Sequence, residues 1–247
     1  MKKIVALMLA LVLALSAAAV ASAEYKLVES GKFIYATSPD FPPFESTDDQ
    51  DNVVGIEPDI LAIICANLGL TPEPYAVDFT SALEAPSSGK ADAVVSGVTI
   101  KEERKAKMDF TIPYVTIKQG VVRKVGDDVT LENLKDKTIG VQAGTTGQID
   151  AVEDYGEEHV VAYDKYSFAF QALQNGQIDC VMVDDMVGAA YVKLIPGLEM
   201  IETNYEPEEF AFGFAKGNEE LLAAFNTELQ KLIDDGTIES IILKYNE

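Results

Sequence analysis

The sequence predicts an α/β chain folded as two lobes, each a mostly parallel sheet flanked by helices. Three observations carry this. Short apolar strand-like runs alternate with helical runs over residues 32–106, the pattern of a parallel sheet unit. The alternation begins again near residue 120 and continues towards the C-terminus. Two extended stretches, residues 114–122 and 210–215, stand where the chain would cross between the halves.

The elements follow in order. Lys32-Phe33-Ile34-Tyr35-Ala36-Thr37 reads as the first strand, and residues 38–44 as a proline- and aromatic-rich loop. Pro58 sits in a first helical turn, where its missing N–H is tolerated, and Gly69 ends the apolar helix over 59–68. A short strand over 74–77, a short helix over 80–86, a buried strand over 92–95 and a charged helical turn over 101–106 complete the first unit. The second unit has strands over 120–123, 138–141, 159–162 and 179–183. Its helices run from the Gly144-Thr145-Thr146-Gly147 turn to Tyr155, over 166–175 and over 186–194. A strand over 210–215 and helices over 219–233 and 238–245 close the chain. Ligands of open parallel sheets bind beyond the carboxyl ends of strands. Residues 38–41, 96–99, 142–147 and Asp184 are therefore the candidate site.

The N-terminus carries a different signal. Lys2 and Lys3 precede an almost wholly apolar run to Val20, and Ala21-Ser22-Ala23 fits the small-x-small cleavage pattern of a secretory leader. The competing reading is a transmembrane anchor, for which the run is borderline in length. No basic stop-transfer cluster follows it. A leader over residues 1–23 is expected to be removed, with no cysteine nearby for a lipid anchor. The rest, roughly 220 residues, suffices for one large or two small domains.

Charge narrows the partners. The formal net charge is -22, and loss of Lys2 and Lys3 takes it to -24. Such a surface repels nucleic acid and anionic lipid, which need positive patches. It serves solubility, and it can also steer a cationic solute. Cys65 and Cys180 lie far apart in apolar runs, so two buried free thiols are expected rather than a disulfide.

Several constellations could carry chemistry. Ser96-Gly97-Val98-Thr99 leaves a strand and leads to Arg104. Backbone N–H groups, a hydroxyl and a planar guanidinium fork together suit a carboxylate. Read alone, Arg104 is more often a surface arginine in a Lys-Glu-Glu-Arg-Lys run. Gly144-Thr145-Thr146-Gly147 can present N–H groups to an anionic or polar ligand. It lacks the lysine of a phosphate loop and the spacing of a dinucleotide fingerprint. Asp184 ends an apolar strand and reads equally as an ammonium partner or a helix cap. Asp48-Asp49-Gln50-Asp51-Asn52 resembles a calcium loop, but Val54 stands before Gly55 where Asp or Asn is needed. It reads as a solvated loop. The single histidine, His159, disfavours a His-based zinc site or a conventional catalytic triad.

Taken in order, these motifs resemble the polar amino-acid solute-binding family of ABC importers, family 3. The resemblance rests on Ala36-Thr37-Ser38-Pro39-Asp40-Phe41-Pro42-Pro43-Phe44-Glu45, Gly55-Ile56-Glu57-Pro58-Asp59-Ile60-Leu61, and the run from Ser96 to Arg104. Gly140 to Gly147 and Asp179 to Asp184 extend it through the second half. It implies a type II periplasmic-binding-protein fold, with two crossing strands as hinge and lobes closing over a free L-amino acid. It also implies roles. Arg104, Thr99 and the Gly97 backbone would hold the α-carboxylate, with a Thr146 N–H added from the second lobe. Asp184 and the Gly97 carbonyl would hold the α-ammonium. Phe41 and Phe79 would flank the ligand side chain, near Ser38, Gln142 and Glu45.

The chain departs from the family at Ser38, where many relatives carry Asp. Gly147 also replaces a larger residue found in some binders of basic amino acids. The neutral Ser38 weakens a lysine- or histidine-type reading, while Glu45 and the acidic surface pull the other way. The ligand side chain stays open between uncharged polar and cationic. The expected divisions are 24–114 for the first lobe, 115–211 for the second and 212–247 for the return segment. The expected partners are the amino acid and, transiently, a membrane permease complex. No cofactor, metal, nucleic acid or catalytic residue is implied, and a monomer is expected in an extracytoplasmic space. Two alternatives share the fold. One is a cyclohexadienyl dehydratase-like enzyme, for which Glu45 would be the general acid. The other is a sensory domain, disfavoured by the lack of an attached kinase or further membrane segment.

Overall fold

The computed structural model describes residues 25–246. The leader expected over residues 1–23 lies outside them. The chain starts with β1 (Lys32–Thr37), a small hairpin of β2 (Ser46–Thr47) and β3 (Val53–Val54), then α1 (Ile56–Leu68) and β4 (Thr71–Ala76). There follow α2 (Phe79–Glu84), β5 (Ala93–Val94), α3 (Glu102–Lys105) and β6 (Met108–Phe110). The middle of the chain holds β7 (Val115–Ile117), β8 (Gln119–Lys124), β9 (Ile139–Gln142), α4 (Thr146–Tyr155) and β10 (Val160–Tyr163). Next come α5 (Tyr166–Gln174), β11 (Cys180–Asp184), α6 (Asp185–Leu194) and β12 (Leu198–Ile201). The last elements are β13 (Glu208–Phe210), β14 (Gly213–Ala215), α7 (Glu219–Asp234) and α8 (Thr237–Asn246).

Two five-stranded sheets organise the molecule, in the orders β4-β1-β5-β14-β6 and β10-β9-β11-β8-β12. In each, four strands run one way and a single strand runs against them. The reversed strands are β14 and β8. Each is the strand by which the chain enters a lobe from the other. The crossing itself is an antiparallel ribbon of β7 and β13, pairing Glu208 with Ile117 and Phe210 with Val115. The fold is therefore two-lobed, mostly parallel within each lobe, with two crossing strands. The stretches expected to cross, 114–122 and 210–215, are each broken in two. Lys118 separates β7 from β8, and Ala211 and Phe212 separate β13 from β14. The break turns each strand out of the ribbon and into its sheet.

Local sequence explains most boundaries. In α1, Ile56, Ile60, Leu61 and Ile64 are fully buried at the spacing of one helix face. Each such burial contributes about 1.5–3 kcal/mol. Gly69, in the left-handed conformation, closes the helix. In α7, Leu221, Phe225 and Leu229 repeat the same pattern. β4 starts three residues earlier than expected, because Pro72 and Pro74 are tolerated on the outer edge of a sheet. The Asp48-to-Asn52 loop is the tip of the β2–β3 hairpin, where Asp48 accepts from the Gln50 and Asn52 N–H groups. His159 closes a short 3-10 turn just before β10 instead of starting the strand. Cys65 and Cys180 are both buried and free. Among the described residues, no helix is long and apolar enough to cross a membrane.

Candidate functional site

The two sheets point the ends of neighbouring parallel strands at each other. β1 and β5 deliver Ser38, Ser96 and Gly97 from one lobe. β9 and β11 deliver Gln142 and Asp184 from the other. Between them lies a narrow cavity whose free volume, about 10 Å³, holds about one water. Its first-lobe wall is Ser38, Phe41, Phe79, Ser96, Gly97, Thr99 and Arg104. Its second-lobe wall is Gln142, Thr145, Thr146 and Asp184. Nine of the ten residues that the sequence nominates thus meet in one place; Glu45 does not.

Arg104 is 7% exposed although it belongs to the charged turn α3. Its Nη1 donates to the Thr99 carbonyl at 3.0 Å and its Nη2 to the Gly144 carbonyl, in the other lobe, at 3.0 Å. The guanidinium carbon lies 5.7 Å from the centre of the Phe79 ring, within cation–π range. Burial pulls its pKa down, opposed by the charges of Glu208, Glu103 and Asp184. A guanidinium remains charged regardless, with three of its five N–H donors left over.

Asp184 holds the opposite charge. It is the last residue of β11 and the N-cap of α6, yet its side chain makes no cap hydrogen bond. Instead Oδ1 accepts from Gln119 Nε2 at 2.8 Å. Burial, and then the nearby Glu208 charge, pushes its carboxyl well above the usual range. Thr146 opens α4, so its N–H is among the first of the helix and has no intrahelical acceptor. Thr145 caps that helix by accepting from the Gln148 N–H at 3.2 Å. Gly147 makes room behind it, since a Cβ there would stand 2.8 Å from Gln119 Oε1. Gln119 takes the space that a side chain at position 147 would need.

Gly97 needs its glycine. Its φ is +55°, and a Cβ would lie 2.5 Å from the Phe41 ring. The family resemblance gives the Gly97 N–H to a ligand carboxylate, but in the structure it is already committed. It donates to the two carboxylate oxygens of Glu57 at 3.1 and 3.2 Å. The backbone N–H is thus spent on holding the loop, and the carbonyl is the Gly97 group left to a ligand. Glu45 also needs correction. It is 1% exposed and sits behind the cavity wall, accepting from Ser96 Oγ at 2.7 Å. Burial and the neighbouring Glu57 push its carboxyl well above the usual range. Tyr114 Oη donates to Glu57 at 2.6 Å, sealing the pair on the crossing side.

The other end of the cavity is neutral. Gln142 Nε2 donates to the Asp164 carbonyl at 3.1 Å and, more weakly, to Ser38 Oγ at 3.4 Å. The Ser38 N–H donates to Ser96 Oγ at 3.0 Å. Phe41 stacks on Tyr166 of the second lobe with ring centres 5.7 Å apart, closing the wall. Asp40 adds two contacts between lobes, accepting from the Ser167 N–H at 2.8 Å and from Tyr191 Oη at 3.1 Å. Among the described residues, no group of three or more His, Cys, Asp or Glu is arranged to hold a metal ion.

Sequence reasoning missed Gln119, Glu57 and Glu208. Glu208 Oε2 accepts from Thr146 Oγ1 at 2.8 Å, and Lys101 Nζ pairs with Oε1 at 3.0 Å. Gln119 and Glu208 sit on β8 and β13, beside strand-like runs with no motif. Only the hinge geometry brings them to the cavity.

Comparison with known proteins places this architecture. The chain is 32% identical over 230 residues to the ABC transporter arginine-binding protein 1 of Escherichia coli (strain K12), covering 91% of this chain and 95% of that protein. An ancestral arginine-binding protein bound to glutamine superposes with a TM-score of 0.83 at 36% identity, covering 88% of this chain and 98% of that one. The arginine-, lysine-, histidine-binding protein ArtJ from the thermophilic bacterium Geobacillus stearothermophilus gives 0.82 at 33%, covering 87% and 94%. The family model for bacterial extracellular solute-binding proteins, family 3, matches residues 33–247. With its fold, its motifs and these relatives in agreement, the chain belongs to the bacterial extracellular solute-binding proteins of family 3.

Proposed function

We propose that this protein captures a free L-amino acid outside the cytoplasm and delivers it to a membrane ABC importer. One observation carries the reading. A buried arginine from one lobe and a buried aspartate from the other line the same small cavity. An α-amino acid zwitterion has the two charges that this pair would neutralise. Arg104 and the Thr146 N–H would take the carboxylate; Asp184 and the Gly97 carbonyl would take the ammonium. Each charge-assisted bond is worth roughly 1.5–3 kcal/mol. A micromolar affinity needs about 8.2 kcal/mol, so a few such bonds suffice after the cost of ordering the lobes.

The side chain would lie between Phe41 and Phe79, against Ser38 and Gln142. These groups offer rings, a hydroxyl and an amide, and no charge. They suit an uncharged polar or a cationic side chain that donates hydrogen bonds. The related proteins that take arginine, lysine, histidine or glutamine make L-arginine and L-glutamine the first ligands to test. The ligand would leave unchanged. Glu45, the acid that a dehydratase would use, is sealed behind Ser96. Residues 24–114 and 212–247 would form one lobe and residues 115–211 the other, in a monomer released by cleavage after Ala23 and docking only transiently on its permease.

A thermal-shift screen against the twenty amino acids tests the reading, since a ligand of the folded state raises the melting temperature. A rise with a small set that includes arginine or glutamine is the expected result. No shift with any of the twenty contradicts it.

A further inference from the structure

Glu208 lies on the crossing strand β13, outside the cavity wall, with a side chain only 11% exposed. Its carboxylate gathers groups from both lobes. Oε2 accepts from Thr146 Oγ1 at 2.8 Å and from Gln119 Nε2 at 3.3 Å, both in the second lobe. The same oxygen is 3.4 Å from Thr99 Oγ1 in the first lobe. Oε1 pairs with Lys101, also in the first lobe, at 3.0 Å. The hydroxyls of Thr99 and Thr146 are themselves 3.5 Å apart across the cleft.

Proton counting shows what this does. A threonine hydroxyl has one proton. With that of Thr146 committed to Glu208, its orientation is fixed and it does not donate to a ligand. The carboxylate is thus a fixed template behind the first turn of α4 and behind the Thr99 backbone. Gln119 extends the same network to Asp184 Oδ1 at 2.8 Å. The hinge ribbon, the carboxylate-binding end and the ammonium-binding end share one chain of hydrogen bonds. Lys101 offsets the charge that Glu208 places near Arg104 and Asp184.

We infer that Glu208 is a positioning residue: it aligns Thr99 and Thr146 across the closed cleft, so that the carboxylate end of the site forms only when the hinge is in register. This rests on the amino-acid-binding function proposed above. Removing Glu208 frees both hydroxyls and leaves Lys101 without its partner. The loss falls on the ligand's carboxylate and spares its side chain.

Calorimetric titration of the wild type, Glu208→Ala and Glu208→Gln separates these effects. The probes are L-arginine with L-argininamide, and L-glutamine with L-glutaminamide. Each amide removes the ligand carboxylate and keeps the side chain. Glu208→Ala is expected to raise the Kd of the free amino acid tenfold or more. It is also expected to shrink the ratio between the Kd values of amide and acid, because the carboxylate has lost its aligned partners. Glu208→Gln keeps an acceptor for Thr146 and should fall between. A residue that merely stabilises the fold would lower the melting temperature and leave that ratio unchanged. An unchanged Kd in Glu208→Ala, or equal weakening of acid and amide, overturns the inference and leaves the binding function standing. A wild type that binds neither amino acid removes the function on which the inference rests.

Discussion

Arg104 Nη2 in the first lobe donates to the Gly144 carbonyl of the second at 3.0 Å. The arginine assigned to ligand binding is therefore also a contact between lobes, and its other terminal nitrogen is anchored on Thr99 at 3.0 Å. Only a planar, multi-donor group can make both bonds and still present hydrogens to a carboxylate. Arg104→Lys keeps the charge and loses the fork. It should weaken binding about 10- to 100-fold, a loss of one charge-assisted bond or slightly more. Isothermal titration measures this, and an unchanged Kd would show that charge alone suffices.

On the proposed site, Asp184 would make binding depend on pH. Burial, followed by the Glu208 charge, holds its carboxyl well above the usual range. An ammonium ligand needs the ionised form. Below the raised pKa of the free protein, each binding event must expel a proton. The Kd should then rise about tenfold per pH unit on acidification, with proton release visible as a heat that varies with the buffer. Asp184→Asn should bind weakly with no such slope. A wild-type Kd that is flat between pH 4.5 and 8 contradicts the assignment.

The buried carboxyls Glu45 and Glu57 set a trend in stability. Burial is the main cause that raises both, and for Glu45 the Glu57 charge adds to it. The fold therefore favours their protonated forms relative to the unfolded chain, whose glutamates titrate near 4.3. The stability they contribute is fully present below that value and is lost as pH rises through the raised folded values. Asp150, pushed up to about 6 by burial, adds a loss of the same sign between roughly pH 4 and 6. Glu45→Gln should flatten the fall in melting temperature as pH is raised, without abolishing it. The amide can still donate to Glu57, as the protonated carboxyl does. A steeper fall in the variant would show that the carboxylate is stabilising.

Gly97→Ala tests the loop that shapes the wall. A left-handed φ costs an alanine about 1–2 kcal/mol, and the clash with Phe41 adds about 1–3 kcal/mol. Denaturant unfolding should show a loss of about 2–5 kcal/mol. A loss under 1 kcal/mol would mean that the loop relaxes freely and does not hold Phe41.

How much of this was legible from the sequence depends on the kind of signal. β1, α1 and α5 carry their periodicity in consecutive residues, and Arg104 and Asp184 stand in ordered motifs at strand ends. β6 and β12 left no trace. Each is a short edge strand that follows a helix closely, and its pairing with β14 or β8 is decided by residues far along the chain. The hinge reads in the sequence as two extended stretches, but the breaks at Lys118 and Ala211 follow from sheet entry, which no local pattern records. The sequence motif puts Glu45 near the ligand because it ends a run that holds Ser38 and Phe41. Its bond to Ser96 turns it into the wall behind them. Gln119 and Glu208 were invisible for the opposite reason. They lie in no motif, and β8 and β13 bring them to the cleft only when the two lobes come together.

Calorimetric titration of Arg104→Ala and Asp184→Ala with the amino acid that the wild type binds tests the two-lobe clamp most directly. Both variants should remain folded, with a cooperative thermal transition, and show no measurable binding. Retention of the wild-type Kd by either folded variant would contradict the clamp.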